Sequence, residues 1–130
     1  MNTALMHQAL AGSLAGQLTF PQVIGILTEA GVESYRVDFI TGSDVFYLPD
    51  GRTHTEPMPR AFANVAETFS ANDLKATIRA AQADAVRYPE FVQRSIAAGV
   101  TSYHVYLTGR RAIYFGRKGE IHIEEFPTAS

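Results

Sequence analysis

Two copies of a His-x-Glu triplet, His54-Thr55-Glu56 and His122-Ile123-Glu124, are the residues of this sequence best suited to chemistry. Imidazole with carboxylate supplies either ligands for a borderline divalent metal or a proton-transfer pair. Each triplet sits in a short run read as a strand, where alternate residues share a face, so each histidine lies beside its glutamate. Ile121 and Ile123 then take the opposite face, which their apolar character predicts to be the core. If a two-fold relation brings the copies together, His54, Glu56, His122 and Glu124 converge as a metal site, and an open coordination position there would activate water. The competing reading makes all four polar groups on the solvated face of an antiparallel sheet.

Other candidates are weaker in pattern. Arg110, Arg111, Arg117 and Lys118 cluster near two turns and suit a carboxylate or phosphate on a small ligand, although turns commonly carry such charge. His104 and Tyr106 alternate on one face, and extend the His122 and Glu124 surface if their strands are neighbours. Tyr35, Tyr47, Tyr103, Tyr106, Tyr114, Phe46 and Phe115 read either as a pocket lining or as core and cross-strand pairs. There is no glycine-rich phosphate loop, no G-x-S-x-G elbow and no H-E-x-x-H helix. The candidate ligand-binding set is therefore His54, Glu56, His122, Glu124, His104 and Arg117. A divalent metal on the first four is the one cofactor that the pattern suggests.

The elements that must position these residues repeat. Residues 20–59 align without a gap on 88–127, with eleven of forty positions identical, among them Pro21 and Pro89, Gly31 and Gly99, and Tyr35 and Tyr103. Proline opens a helix in each copy, where its missing N–H costs nothing, and Thr19 with Gln22 forms a capping box in the first. Gly31-Val32 and Gly99-Val100 end the helices as left-handed caps. The period then changes from helical to two, as Tyr35, Val37 and Phe39 or Tyr103, Val105 and Leu107 alternate with polar or less apolar residues. Second strands at 45–48 and 112–115 and short third strands at 53–56 and 121–124 follow. Ser70 with Asp73 opens a long helix ending near Tyr88, and residues 1–15 form its counterpart. The expectation is an α+β domain: a tandem α-α-β-β-β unit, an antiparallel sheet with helices on one face, and a pseudo-two-fold axis.

Composition bounds the rest. The 130 residues, 46% hydrophobic and 18% charged, suit a single domain over 1–130. Without cysteine there are no disulfides, thiolate metal sites or thiol nucleophiles. Eleven basic against thirteen acidic residues give a charge of −2, a poor match for nucleic acid. The longest nearly apolar stretch, residues 9–18, falls far short of the ~20 needed to span a bilayer, and the first residues lack a positive leader. A cytoplasmic protein is expected, with neither membrane nor nucleic-acid partners.

The Ala-Gly-Val-x-Ser-Tyr element, the Tyr114-Phe115-Gly116-Arg117-x-Gly119-Glu120 run and the closing His122-x-Glu124-x-Phe126-Pro127 resemble the YbcV-like family of small bacterial and prophage proteins labelled phage envelope protein. The resemblance covers most of the chain from Phe20 to Pro127. It implies no reaction and assigns no functional residue. Three functions stand at this point. The first is a prophage-related, non-catalytic module that binds a small molecule or a protein, either self-associating through its sheet edges as a homodimer or kept monomeric by edge protection. The second is a small metal-dependent or acid-base enzyme using the His-x-Glu residues, and the third a virion-associated structural protein.

Overall fold

Helix boundaries fall where the sequence supplies caps. The computed structural model describes residues 1–58 and 64–127; Pro59, the last aligned position of the first copy, lies outside them. In chain order they form α1 (Thr3–Leu14), α2 (Phe20–Glu29), β1 (Ser34–Asp38), β2 (Ser43–Tyr47), β3 (Thr53–Pro57), α3 (Ala71–Gln82), α4 (Tyr88–Ala97), β4 (Val100–Tyr106), β5 (Arg111–Gly116) and β6 (Ile121–Glu125). Thr19 caps α2 with the full reciprocal box: its Oγ1 accepts from the Gln22 N–H, and its own N–H donates to the Gln22 side chain. At the other end Val32 N–H donates to Leu27 O and Gly31 N–H to Thr28 O, the paired bonds of a Schellman cap.

The helix after Ser70 is shorter than its sequence suggests. It stops at Gln82 instead of running on to Tyr88, because Asp84 takes a left-handed conformation with φ of 56°. Asp84 N–H donates to Ala81 O and Ala85 N–H to Ala80 O, so an aspartate does here what glycine does elsewhere. Its carboxylate also receives two hydrogen bonds from Arg87.

The strands form one antiparallel sheet in the order β3-β2-β1-β4-β5-β6. Two three-stranded meanders thus meet through their first strands. The β1–β4 register is symmetric about Arg36 opposite His104, two residues 68 apart in the chain. On the covered face lie Tyr35, Val37, Phe46, Tyr103, Val105, Ala112 and Tyr114, in one core with Met6, Leu10 and Leu27 of the first helix pair and Leu74, Ile78 and Val92 of the second. The arrangement is α+β, with the helices packed on one side of the sheet.

Among the described residues no layer covers the opposite face. Rings laid flat cover part of it instead: His104 stacks on Tyr106 at 4.3 Å and on Tyr47 at 5.3 Å, and the Arg36 guanidinium lies 5.9 Å from the Phe115 ring centre. Ile121 and Ile123, 57% and 45% exposed, belong to this open face. The expectation that they face the core is reversed.

The two glycine caps differ in surroundings. Both have positive φ, +82° at Gly31 and +93° at Gly99. A Cβ on Gly31 would meet nothing within 4 Å, whereas one on Gly99 would stand 2.5 Å from Thr68 O and 2.9 Å from Phe69 Cα. Gly31→Ala should therefore cost the ~1–2 kcal/mol of a left-handed alanine alone. Gly99→Ala should cost that plus the displacement of the chain at Thr68, about 3 kcal/mol or more. Urea unfolding of the two variants compares them, and equal losses would refute the backbone contact.

Candidate functional site

The pleat decides which groups can meet. Within β2, Asp44 and Phe46 point the same way, and the register sets Asp44 against Val37 and Glu56, and Phe46 against Tyr35 and His54. In the other half Tyr114 lies between Tyr103 and His122, and Ala112 between Val105 and Glu124. Both His-x-Glu pairs therefore face the helices, and Glu124 is only 8% exposed.

The pairs do not converge. They occupy the two edge strands, five strand spacings apart, or roughly 24 Å at ~4.8 Å each. Among the described residues no three His, Asp or Glu side chains gather in a way that could hold a metal ion. Each pair instead joins its edge strand to a helix. Glu56 binds His54 of its own strand (Oε2 to Nε2, 2.6 Å) and His7 of α1 (Oε1 to Nδ1, 2.7 Å). Glu124 binds His122 (3.1 Å) and the Arg79 guanidinium of α3. The hydrogen bond from His7, with that from His54, holds the Glu56 carboxyl below the usual carboxylate range. Burial pushes the Glu124 carboxyl up, but Arg79 and His122 outweigh it and the net direction is down.

His104 is remote from both pairs. It lies on the open face, where its Nε2 meets Ser34 Oγ at 2.9 Å, so it does not extend the His122 and Glu124 surface. Burial, helped by Arg36, lowers its pKa. The basic residues are also dispersed. Arg110 and Arg111 lie at one end of β5 and Arg117 and Lys118 beyond the other. Arg110 donates to Pro127 O, Arg111 pairs with Glu125, Arg117 donates to Val65 O and Lys118 pairs with Glu67.

What the fold does form is a partly open cavity of about 90 Å³ between sheet and helices. Its floor is Tyr35, Asp44, Phe46, Tyr103 and Tyr114, its roof includes Leu10, Leu27, Ile78 and Phe91, and Thr19, Phe20, Gln82 and Phe126 stand half-buried at its rim. Rings pack edge and face around it: Tyr103 to Tyr114 at 5.3 Å, Tyr35 to Phe46 at 6.0 Å, Phe91 to Tyr103 at 6.1 Å. The Tyr88 and Tyr103 hydroxyls share a 2.7 Å hydrogen bond. Burial raises the pKa of Tyr35, Tyr88, Tyr103 and Tyr114, so all four remain phenols at neutral pH.

Asp44 is the anomaly in this lining. It is 4% exposed, and its Oδ1 is buried with no hydrogen-bond partner. Burial first, and the nearby Glu56 charge second, push its pKa well above the ordinary carboxylate value. A second strand read as 45–48 passes Asp44 over and leaves it to the preceding turn. Its in-phase spacing with Phe46 was the available signal. His7 and Arg79 carried no such mark, since their partners lie 49 and 45 residues away.

The fold and cavity define a class: an α+β domain with a partly open, ring-lined pocket holding one unpaired acid, Asp44. The chain belongs to the family described as Protein of unknown function (DUF1398), whose model matches residues 8–125. Among curated proteins none matches. Among the described residues no helix is long and apolar enough to cross a membrane.

Two titration predictions follow from the carboxylates. Because the folded-state pKa of Asp44 is raised, the folded protein holds a proton that the unfolded chain loses, so this group removes stability as pH rises above about 4. Asp44→Asn should gain on the parent through that range, by up to about 1.4 kcal/mol per pH unit, and parallel stability curves would exclude a protonated Asp44. Glu124 has the opposite sign: its depressed pKa contributes stability above the ordinary carboxyl range that is lost as pH falls through the folded value. Arg79→Ala should cost about 1–3 kcal/mol at pH 7 by stranding that carboxylate, and the loss should shrink in acid. A pH-independent loss would show that Arg79 acts only by packing.

Proposed function

We propose that the protein is a non-catalytic binding module that holds a small, largely apolar molecule in the cavity between its sheet and its helices. Asp44 carries this reading. A buried carboxyl oxygen without a partner costs the fold stability and gives it nothing in return, whereas a ligand polar group would satisfy it. Enclosed, mostly apolar space with a few converging polar groups is the usual form of a small-molecule site. A cavity of about 90 Å³ is of the same order as the ~150 Å³ apolar cavity that takes one benzene, so the ligand is small unless the rim moves.

The test is thermal unfolding with a small apolar probe, n-butanol or phenol, on the parent and on Ala112→Leu, which fills the floor. At about 100 times its dissociation constant the probe should add about 2.7 kcal/mol to the parent and nothing to a folded Ala112→Leu. Ala9→Leu, filling the roof, serves if the first variant does not fold. Equal stabilisation of parent and filled variant, or none of the parent by either probe, would reject the cavity as a binding site.

A further inference from the structure

We infer that the cavity selects a small apolar amine, bound with its ammonium on the Asp44 carboxylate and its hydrocarbon against the surrounding rings; this rests on reading the cavity as a ligand site. The first ground is that the fold does not need an acid at this place. The corresponding position of β5 is Ala112, which sits between Val105 and Glu124 as Asp44 sits between Val37 and Glu56. A methyl group completes the sheet in one half, so the carboxyl in the other answers to something outside it.

The second ground is the sign of the charge around it. Glu56 faces Asp44 across β2 and β3, and Glu124 belongs to the cavity lining. Each already has its own hydrogen-bond partners, His7 and His54 for one, Arg79 and His122 for the other. The cation of the lining is Arg87, and its guanidinium is committed to Asp84 and Gly16 O. The remaining titratable groups there, Tyr35, Tyr88, Tyr103 and Tyr114, are phenols. Nothing among the described lining residues opposes a bound cation beside Asp44, and a bound anion would meet carboxyl groups and the negative faces of rings. Those faces, of Tyr35, Phe46, Tyr103 and Tyr114, attract ammonium groups in their own right.

The proton balance is specific. Burial favours the protonated form of the empty Asp44; when an ammonium ligand meets that form, the carboxyl O–H bond breaks, the proton passes to solvent, and the carboxylate pairs with the ammonium. A neutral ligand would accept a hydrogen bond from the intact carboxyl and release nothing.

Isothermal titration with n-butylamine, n-butanol and butyrate, in two pH 7 buffers of different ionisation enthalpy, separates these cases. The amine should bind tightest and release up to one proton, tightening by up to about tenfold per pH unit over the range where the empty Asp44 is protonated. Asp44→Asn should weaken the amine by about tenfold or more while changing n-butanol less than about threefold, with its thermal transition showing that it is folded. If n-butanol binds as tightly as the amine without proton release, or butyrate binds tightest, the amine assignment is overturned and the cavity remains a ligand site. If none of the three binds the parent, both readings fall.

Discussion

One strand pairing organises the molecule. Every other ladder joins neighbours in the chain, β1 to β2, β2 to β3, β4 to β5 and β5 to β6, and only β1 with β4 joins the two halves of the sheet. Its register, centred on Arg36 and His104, sends both third strands to the outside. The separation of the two His-x-Glu pairs follows from that alone. So does the cavity: first strands meeting at the centre bring Tyr35 and Tyr103 together beneath helices from both halves, while Asp44 and Ala112 flank them one strand further out.

At the edges the same arrangement needs polar joints. An edge strand has a neighbour on one side only, and the helix layer must reach it across the sheet's full width. Glu56 and Glu124 answer this similarly, each gripped by the histidine two residues before it and by a side chain from the first helix of its half, His7 or Arg79. The paired histidines also lie against the next ring inward, His54 on Phe46 and His122 on Tyr114. Two carboxylates on the covered face are thereby tolerated, since each has hydrogen-bond donors on both sides. Asp44 has no such arrangement, which is why it stands apart from them chemically.

Most of the architecture is legible in the sequence. Thr19, Pro21, Gly31 and Gly99 mark helix ends by steric and hydrogen-bonding rules that tertiary packing rarely overrides, and the strands around Tyr35 and Tyr103 declare themselves by period. The third strands mislead because apolar character does not by itself imply burial. The alignment of 53–56 with 121–124 holds the correction: Thr53 and Thr55 fall against Ile121 and Ile123, and a core-facing position would not accept threonine for isoleucine so readily. Asp84 shows another limit, since a left-handed aspartate cap looks like any exposed acid until its φ is known. The cavity is legible only in part: Tyr35, Phe46, Tyr103 and Tyr114 read as pocket lining or as core, and nothing local decides between the two. It is made of residues from nine strands and helices whose common property is position, and position depends on the central register.

That register also sets the order in which structure can accumulate. Each hairpin closes over a short loop, but β1 and β4 bring together residues about 70 positions apart, so their contact carries the largest chain-closure entropy of any in the sheet. Local meanders and helix pairs can gather early, while the central ladder waits for two partly formed halves to find one another. The pocket, walled by both, has no existence in either half alone, and a molecule that fits it can recognise only chains that have completed this last docking step.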